Sequence, residues 1–191
     1  MAEITIVEES ITHYLPEYAH ISSAFSIAHI LQIRVVNGGL GGILLDEVAV
    51  SPTIIKDYDT VENPSCWAAQ WDISKWGRLT AYSDHHRVGG CLLAYNTEGV
   101  EILEGRTDLT ALWDIRVAPD FRRRGIATKL FTAAVIWAQQ RSCTGMKIET
   151  QNNNVTACRF YQAQGCILQR ITRFAYPMFP DETQLIWYLP L

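Results

Sequence analysis

Asp114-Ile115-Arg116-Val117-Ala118-Pro119-Asp120-Phe121-Arg122-Arg123-Arg124-Gly125-Ile126-Ala127 is the stretch on which the reading of this chain turns. A β-rich run over 110–117 stops at Pro119, three arginines and a glycine follow, and an amphipathic helix is expected over 125–141. Apolar residues at 126, 130, 133, 134 and 137 keep the spacing of one helix face. The arginines therefore fall at a helix N-terminus, where backbone N–H groups have no intrahelical partner and the dipole is positive. Three cations there are unfavourable unless an anion shares the site. Gly125 lets the backbone approach such an anion, and small Ala127 leaves the entrance open. A solvated basic turn would also account for the charges taken alone. No Gly-Lys-Ser/Thr follows the glycine, which excludes a P-loop, and one glycine does not make a dinucleotide fingerprint. The stretch reads as a phosphate cradle.

Working outward, 191 residues suffice for one well-buried domain, here taken as 1–191, and are too few to expect two. The 48% hydrophobic and 19% charged content is that of a globular protein. No basic and apolar leader is visible at Met1-Ala2-Glu3-Ile4-Thr5, and no apolar run approaches the ~18 residues of a spanning helix. Five cysteines, odd in number and without C-x-x-C spacing, suggest reduced thiols and a cytoplasmic protein. Cys91, Cys158 and Cys166 have apolar neighbours and read as core filling. Residues 1–110 carry 6 Lys and Arg against 15 Asp and Glu, whereas residues 111–191 carry 10 against 5. A basic half suits a polyanionic cofactor and an acidic half a cationic acceptor; the basic residues are too few to expect nucleic acid.

Residues 8–21, with Pro16 and scattered aromatics, are expected to be loop with at most a short helix. Residues 25–36 alternate as a strand, with His29 on its apolar face as a structural histidine. The glycine-rich turn at 37–42 precedes no phosphate-binding helix and reads as a loop. Asp46, Glu47, Asp57, Asp59 and Glu62 then form either solvated surface or the rim of a site for a cation. Trp67, Trp71 and Trp76 near Asp72 read first as aromatic packing, with an aromatic wall for a cationic ligand as the alternative. Strands are expected at 78–82 and 88–95 around a turn whose adjacent His85 and His86 point to opposite sides, so no metal site is expected there. A strand over 146–150, a helix over 155–164 capped by Gly165, and strands over 166–176 and 184–189 complete an α/β fold with a largely antiparallel sheet.

Glu149, Asn154, Ala157 and Tyr161 form a second constellation. Asn154 stands where an N-cap is wanted, and Ala157 and Tyr161 share one face of the helix. Tyr161 as a buried core residue is the structural alternative.

Two motifs together carry a resemblance. Arg122, Gly125 and Ala127 fit Arg/Gln-x-x-Gly-x-Gly/Ala after a strand ending Val-Ala-Pro. Asn154, Ala157, Tyr161 and Gly165 fit Asn-x-x-Ala-x-x-x-Tyr-x-x-x-Gly-Phe, with Cys166 in place of the usual aromatic. The chain resembles the GNAT superfamily of N-acetyltransferases. Over about residues 110–191, through Glu149-Thr-Gln-Asn-Asn-Asn154, Ala157-Cys-Arg-Phe-Tyr161 and the Ile186-Trp-Tyr-Leu189 tail, it looks like the streptothricin acetyltransferases.

The resemblance implies a single GNAT-like domain in which residues 1–109 shape the acceptor pocket and residues 110–191 bind acetyl-CoA. It implies direct acetyl transfer to an amine; from the sequence itself no metal and no membrane or nucleic-acid partner is expected, and a homodimer is left open. Ile115, Arg116 and Val117 would offer backbone groups to the pantetheine and acetyl carbonyl. Arg122, Arg123, Arg124, Gly125, Ile126 and Ala127 would hold the pyrophosphate, with Asn154, Ala157 and Tyr161 also at the cofactor. Tyr161 would protonate the leaving thiolate. Glu149 matches the general-base position of some members, and Asp114 is its rival, unless Arg116 makes Asp114 a structural ion pair. A small cationic acceptor such as an antibiotic or a polyamine is expected. The alternatives are a protein N-terminal or lysine acetyltransferase and a non-catalytic acetyl-CoA-binding module.

Overall fold

The computed structural model describes residues 3–11 and 16–191. Met1 and Ala2 of the leader reading, and residues 12–15 of the stretch expected to be loop, lie outside the described residues. In chain order the elements are β1 (Ile4–Glu9), α1 (Pro16–Ala19), β2 (Phe25–Val35), β3 (Ile43–Lys56), α2 (Trp67–Gln70), β4 (Gly77–Ser83) and β5 (His86–Tyr95). They continue as β6 (Leu109–Val117), α3 (Ile126–Gln140), β7 (Gly145–Gln151), α4 (Val155–Ala163), β8 (Ile167–Arg173) and β9 (Thr183–Pro190). Strand order is β1-β4-β5-β6-β7-β9-β8, with β2 and β3 as a separate antiparallel ribbon. The pairs β1–β4, β4–β5 and β5–β6 are antiparallel and β6–β7 is parallel, a mixed, mostly antiparallel α/β arrangement as the sequence leads one to expect. No helix among the described residues is long and apolar enough to cross a membrane.

The chain forms two compact units. One comprises residues 1–23, 58–148 and 188–191, the other 24–57 and 149–187. In the first, α3 buries Ile126, Leu130, Phe131, Ala134, Trp137 and Ala138; Phe131 and Ala138 join the expected face, and Ala133, expected on it, is only half-buried. A Cβ on Gly77 would come 2.4 Å from the Trp137 ring, so the helix reaches β4 only because that residue has no side chain. Beside this core lies a second cluster of Tyr18, Trp67, Ile73, Trp76, Leu92 and Ala111, against which Trp71 and Trp113 are partly buried. Trp67 and Trp76 thus pack as the first of the two sequence readings has it. Cys91, Cys143, Cys158 and Cys166 are buried and Cys66 is exposed; burial pushes the Cys166 thiol up to about 11.

In the second unit the β2–β3 ribbon turns at residues 37–42 as expected. Two strands exceed the sequence reading. β1 occupies residues 4–9, part of which was expected to be loop, and β3 fills 43–56, where only acidic surface was foreseen. In β3 the Asp46-Glu47 pair and Pro52 interrupt the alternation. Proline is tolerated there because β3 pairs with β2 alone.

Candidate active site

In the first unit, β6 carries a bulge. Leu92 pairs with Asp114 and Leu93 with Leu112, which leaves Trp113 as the extra residue. The parallel ladder to β7 runs only from Leu109↔Gly145 to Leu112↔Ile148. From Trp113 onward β6 is therefore laddered on its β5 edge, and Ile115, Arg116 and Val117 have an edge on which backbone groups can serve a ligand.

After β6 the chain makes a short 3₁₀ turn at Pro119–Phe121 and enters α3 through Gly125 at φ +77. No side chain caps this helix, so its first N–H groups receive nothing from a cap. Nothing stands within 4 Å of the place a Gly125 Cβ would take, which leaves room for an anion to approach. These features fit a pyrophosphate. The arginines divide their work. Arg122 donates from Nε to the Val117 carbonyl at 3.0 Å and from Nη2 to the Ser22 carbonyl at 3.2 Å. Arg124 donates to the Asp120 carbonyl at 2.7 Å and lies over the Phe121 ring. Arg123 is exposed at φ +63. Arg124 therefore braces the loop's own backbone, and Arg122 ties the loop to the end of β6 and to Ser22.

Asp114 and Arg116 form the ion pair that their shared strand parity suggests. Arg116 donates from Nε and Nη2 to Asp114 at 2.8 Å each, and to Asp59 at 2.9 and 3.1 Å. A further Nη1 bond reaches the Ile21 carbonyl at 2.9 Å. The guanidinium side chain is only 2% exposed. Burial pulls its pKa down, but the hydrogen bonds and charge of Asp114 outweigh that and raise it. The Tyr18 hydroxyl, at the end of α1, also donates to Asp114. Burial and the Asp114 charge push the Tyr18 phenol well above its ordinary value.

In the second unit, Glu149 on β7 accepts from the Tyr176 hydroxyl at 2.6 Å and from Gln184 Nε2 at 2.8 Å. Asn154 caps α4, its side-chain oxygen accepting from Ala157 N–H at 3.1 Å. Ala157 is half-buried and Tyr161 is buried, one turn apart on α4. Gly165 follows the helix at φ +87, as its place in the motif requires. Cys166, in the usual aromatic position, is buried and donates its N–H to the Tyr161 carbonyl at 3.0 Å.

The sequence reading missed the partners more than the site residues. Tyr18, Asp59, Tyr176 and Gln184 lie 96, 57, 27 and 35 residues from the groups they hold, and no local pattern announces them. Much of the acidic stretch over 43–62 is engaged internally. Asp46 pairs with Arg34, Glu47 with Arg159, Asp59 with Arg116, and Glu62 accepts from the Trp67 indole.

The family model described as Acetyltransferase (GNAT) family matches residues 44–166, more than half of the chain. The chain belongs to this family of acetyltransferases, for which acetyl-CoA is the donor. Its similarity to particular proteins points the same way. It is 27% identical over 192 residues to a streptothricin acetyltransferase of Escherichia coli, covering 97% of this chain and 94% of that one. Over 109 residues it is 30% identical to streptothricin acetyltransferase A of Bacillus subtilis strain 168, covering 56% of this chain and 58% of the relative. A crystal structure from Bacillus anthracis, assigned as a streptothricin acetyltransferase in complex with acetyl coenzyme A, shares the fold. It has a TM-score of 0.75 at 24% identity and covers 100% of this chain and 98% of that one.

Proposed function

We propose that this chain transfers the acetyl group of acetyl-CoA directly to a primary amine of a small cationic acceptor. The observation that carries the reading is the left-handed, uncapped start of α3 at Gly125, open to an anion, in a chain of this family. Backbone N–H groups from Arg122 to Ala127 hold the pyrophosphate, with Arg123 at the rim. Ile115, Arg116 and Val117 offer their backbone to the pantetheine. Asn154 fixes the start of α4, and small Ala157 leaves space for the cofactor beside the Tyr161 phenol. When bound, acetyl-CoA supplies the acetyl group as an activated thioester.

An ammonium must lose a proton before its nitrogen can attack. Glu149 takes that proton, directly or through a water. Its two partners, Tyr176 and Gln184, are neutral, which supports this role over Asp114, whose carboxylate is bound by the Arg116 guanidinium. Tyr161 gives its proton to the departing thiolate, whose ordinary pKa is about 8.5. The acceptor class is supported by the similarity to streptothricin acetyltransferases and by the 15 acidic against 6 basic residues before position 111.

The test is amine-dependent thiol release from acetyl-CoA with streptothricin, aminoglycosides, polyamines and N-terminal peptides. Release with a small cationic amine is expected. Release confined to peptides would make the chain a protein acetyltransferase. Calorimetric binding of acetyl-CoA without release on any amine would leave a sensing module instead.

A further inference from the structure

The bulge in β6 has a consequence for the acceptor. Because Leu92 and Asp114 pair across it while Trp113 packs in the same cluster as Leu92, Trp113 and Asp114 stand side by side on one face of the strand. An unbulged strand would send them to opposite faces. Four tryptophans gather there. Trp113 lies 4.9 Å from Trp71, 5.2 Å from Trp76 and 6.2 Å from Trp67, measured between ring centroids. They differ in role. Trp67 and Trp76 are buried, and their indole N–H groups are tied to Glu62 and to Thr97, each at 2.9 Å. Trp71 and Trp113 are only half-buried. Packing alone accounts for the first two and leaves ring surface of the other two accessible.

We infer that Trp113 and Trp71 form the subsite that receives the acceptor's ammonium group. The placement rests on the acetyl-transfer reading above, which puts the acetyl carbonyl at Ile115–Val117. Trp113 is two residues before that segment, about 7 Å along an extended strand, so an amine near its ring is within one small group of the thioester. The chemistry also matches. An indole face attracts a cation. Trp71 meets Trp113 at 68°, so the pair presents two differently inclined rings to one charge. A protonated amine is held there by electrostatics that vanish when it is acetylated, which favours release of the neutral amide.

The experiment is calorimetric titration of streptothricin and, separately, acetyl-CoA into the wild type, Trp113→Leu, Trp113→Phe and Trp71→Leu, with thermal melts to establish folding. A cation–π contact of ordinary strength predicts an acceptor Kd weakened about 3- to 30-fold in Trp113→Leu and in Trp71→Leu. Trp113→Phe retains a ring and should stay within about threefold of the wild type. The acetyl-CoA Kd should not change in any variant. Unchanged streptothricin affinity in both leucine variants, or an equal loss of acetyl-CoA affinity, would overturn the subsite. So would a wild type that binds neither streptothricin, an aminoglycoside nor spermidine. Thiol release separates the two readings. A wild type that binds streptothricin through Trp113 but releases no thiol refutes the activity and keeps the subsite, and turnover with a Trp113-independent Kd does the reverse.

Discussion

Asp114→Asn distinguishes a structural carboxylate from a catalytic one. Arg116 is buried and donates to both Asp114 and Asp59 and to the Ile21 carbonyl, so removing one negative charge still leaves Asp59 opposite the guanidinium. The loss is then one charge-assisted, two-pronged hydrogen bond, together with an amide NH₂ turned toward a donor. That is worth about 1.5–3 kcal/mol. For a chain of this size it lowers Tm by roughly 3–12 °C. Arg116→Leu should cost more, about 3–5 kcal/mol or roughly 6–20 °C, because it leaves two carboxylates and a buried carbonyl without their cation. Turnover of folded Asp114→Asn at saturating substrates should stay within about threefold of the wild type, since general-base loss would cost ~10²–10⁴. Glu149→Gln should show the opposite profile, with an unchanged Tm and rates depressed on the acid side of the pH profile. Melting curves paired with initial rates check both. An Asp114→Asn enzyme that is stable but inactive, beside an active Glu149→Gln enzyme, would make Asp114 the base and refute this assignment.

At the cradle, Gly125→Val forces a β-branched residue to φ +77 and fills the open space before α3. It should abolish calorimetric acetyl-CoA binding in a folded protein, whereas Arg123→Ala should only weaken it. Tyr161→Phe should lower kcat by ~10²–10⁴ with acetyl-CoA affinity retained, and an unchanged kcat where chemistry limits turnover would return Tyr161 to core packing. Glu9 accepts from Tyr82, Thr80 and Arg87 at 2.6, 2.8 and 2.7 Å; burial acts to raise its pKa, but these donors outweigh it and hold the carboxyl below the ordinary 4.5. Its stabilisation is therefore present above pH 4.5 and lost as pH falls through the depressed folded value. The Tm gap between wild type and Glu9→Gln should close in acid, and a gap constant with pH would refute the assignment.

How far the fold was legible depends on where the signal lies. From Leu109 to Pro190 each element begins or ends at a local cue. Pro119 and Gly125 bracket the cradle, Asn154 caps α4 and Gly165 ends it, so strands and helices fall where the sequence puts them. In the first half β2, β4 and β5 also fall where the sequence puts them, but β1 and β3 lack such cues. β1 is an edge strand whose alternation covers only six residues and ends in Glu8 and Glu9. β3 carries charges and a proline in its middle because only one of its edges is paired. An edge strand is defined by its partner across the ladder, and the partner of β1 is β4, about seventy residues away or more.

The candidate site shows the same division within single residues. Asp114 and Glu149 are both carboxylates on strands beside recognisable motifs, and spacing alone leaves either as the base. What separates them is contributed from far along the chain. Among the described residues Asp114 accepts from Arg116 through two atoms and from Tyr18, whereas Glu149 accepts from Tyr176 and Gln184. A carboxylate in a two-pronged guanidinium contact gives up a charge-assisted interaction when it takes a proton, and a carboxylate between neutral donors gives up less. The two motifs are visible in the sequence, while the long-range partners that favour Glu149 over Asp114 as the proposed base are not. The bulge at Trp113 is of the same kind. It needs the register of β5 to be seen, and it turns a tryptophan that the sequence reading passed over toward the face where an acceptor is expected.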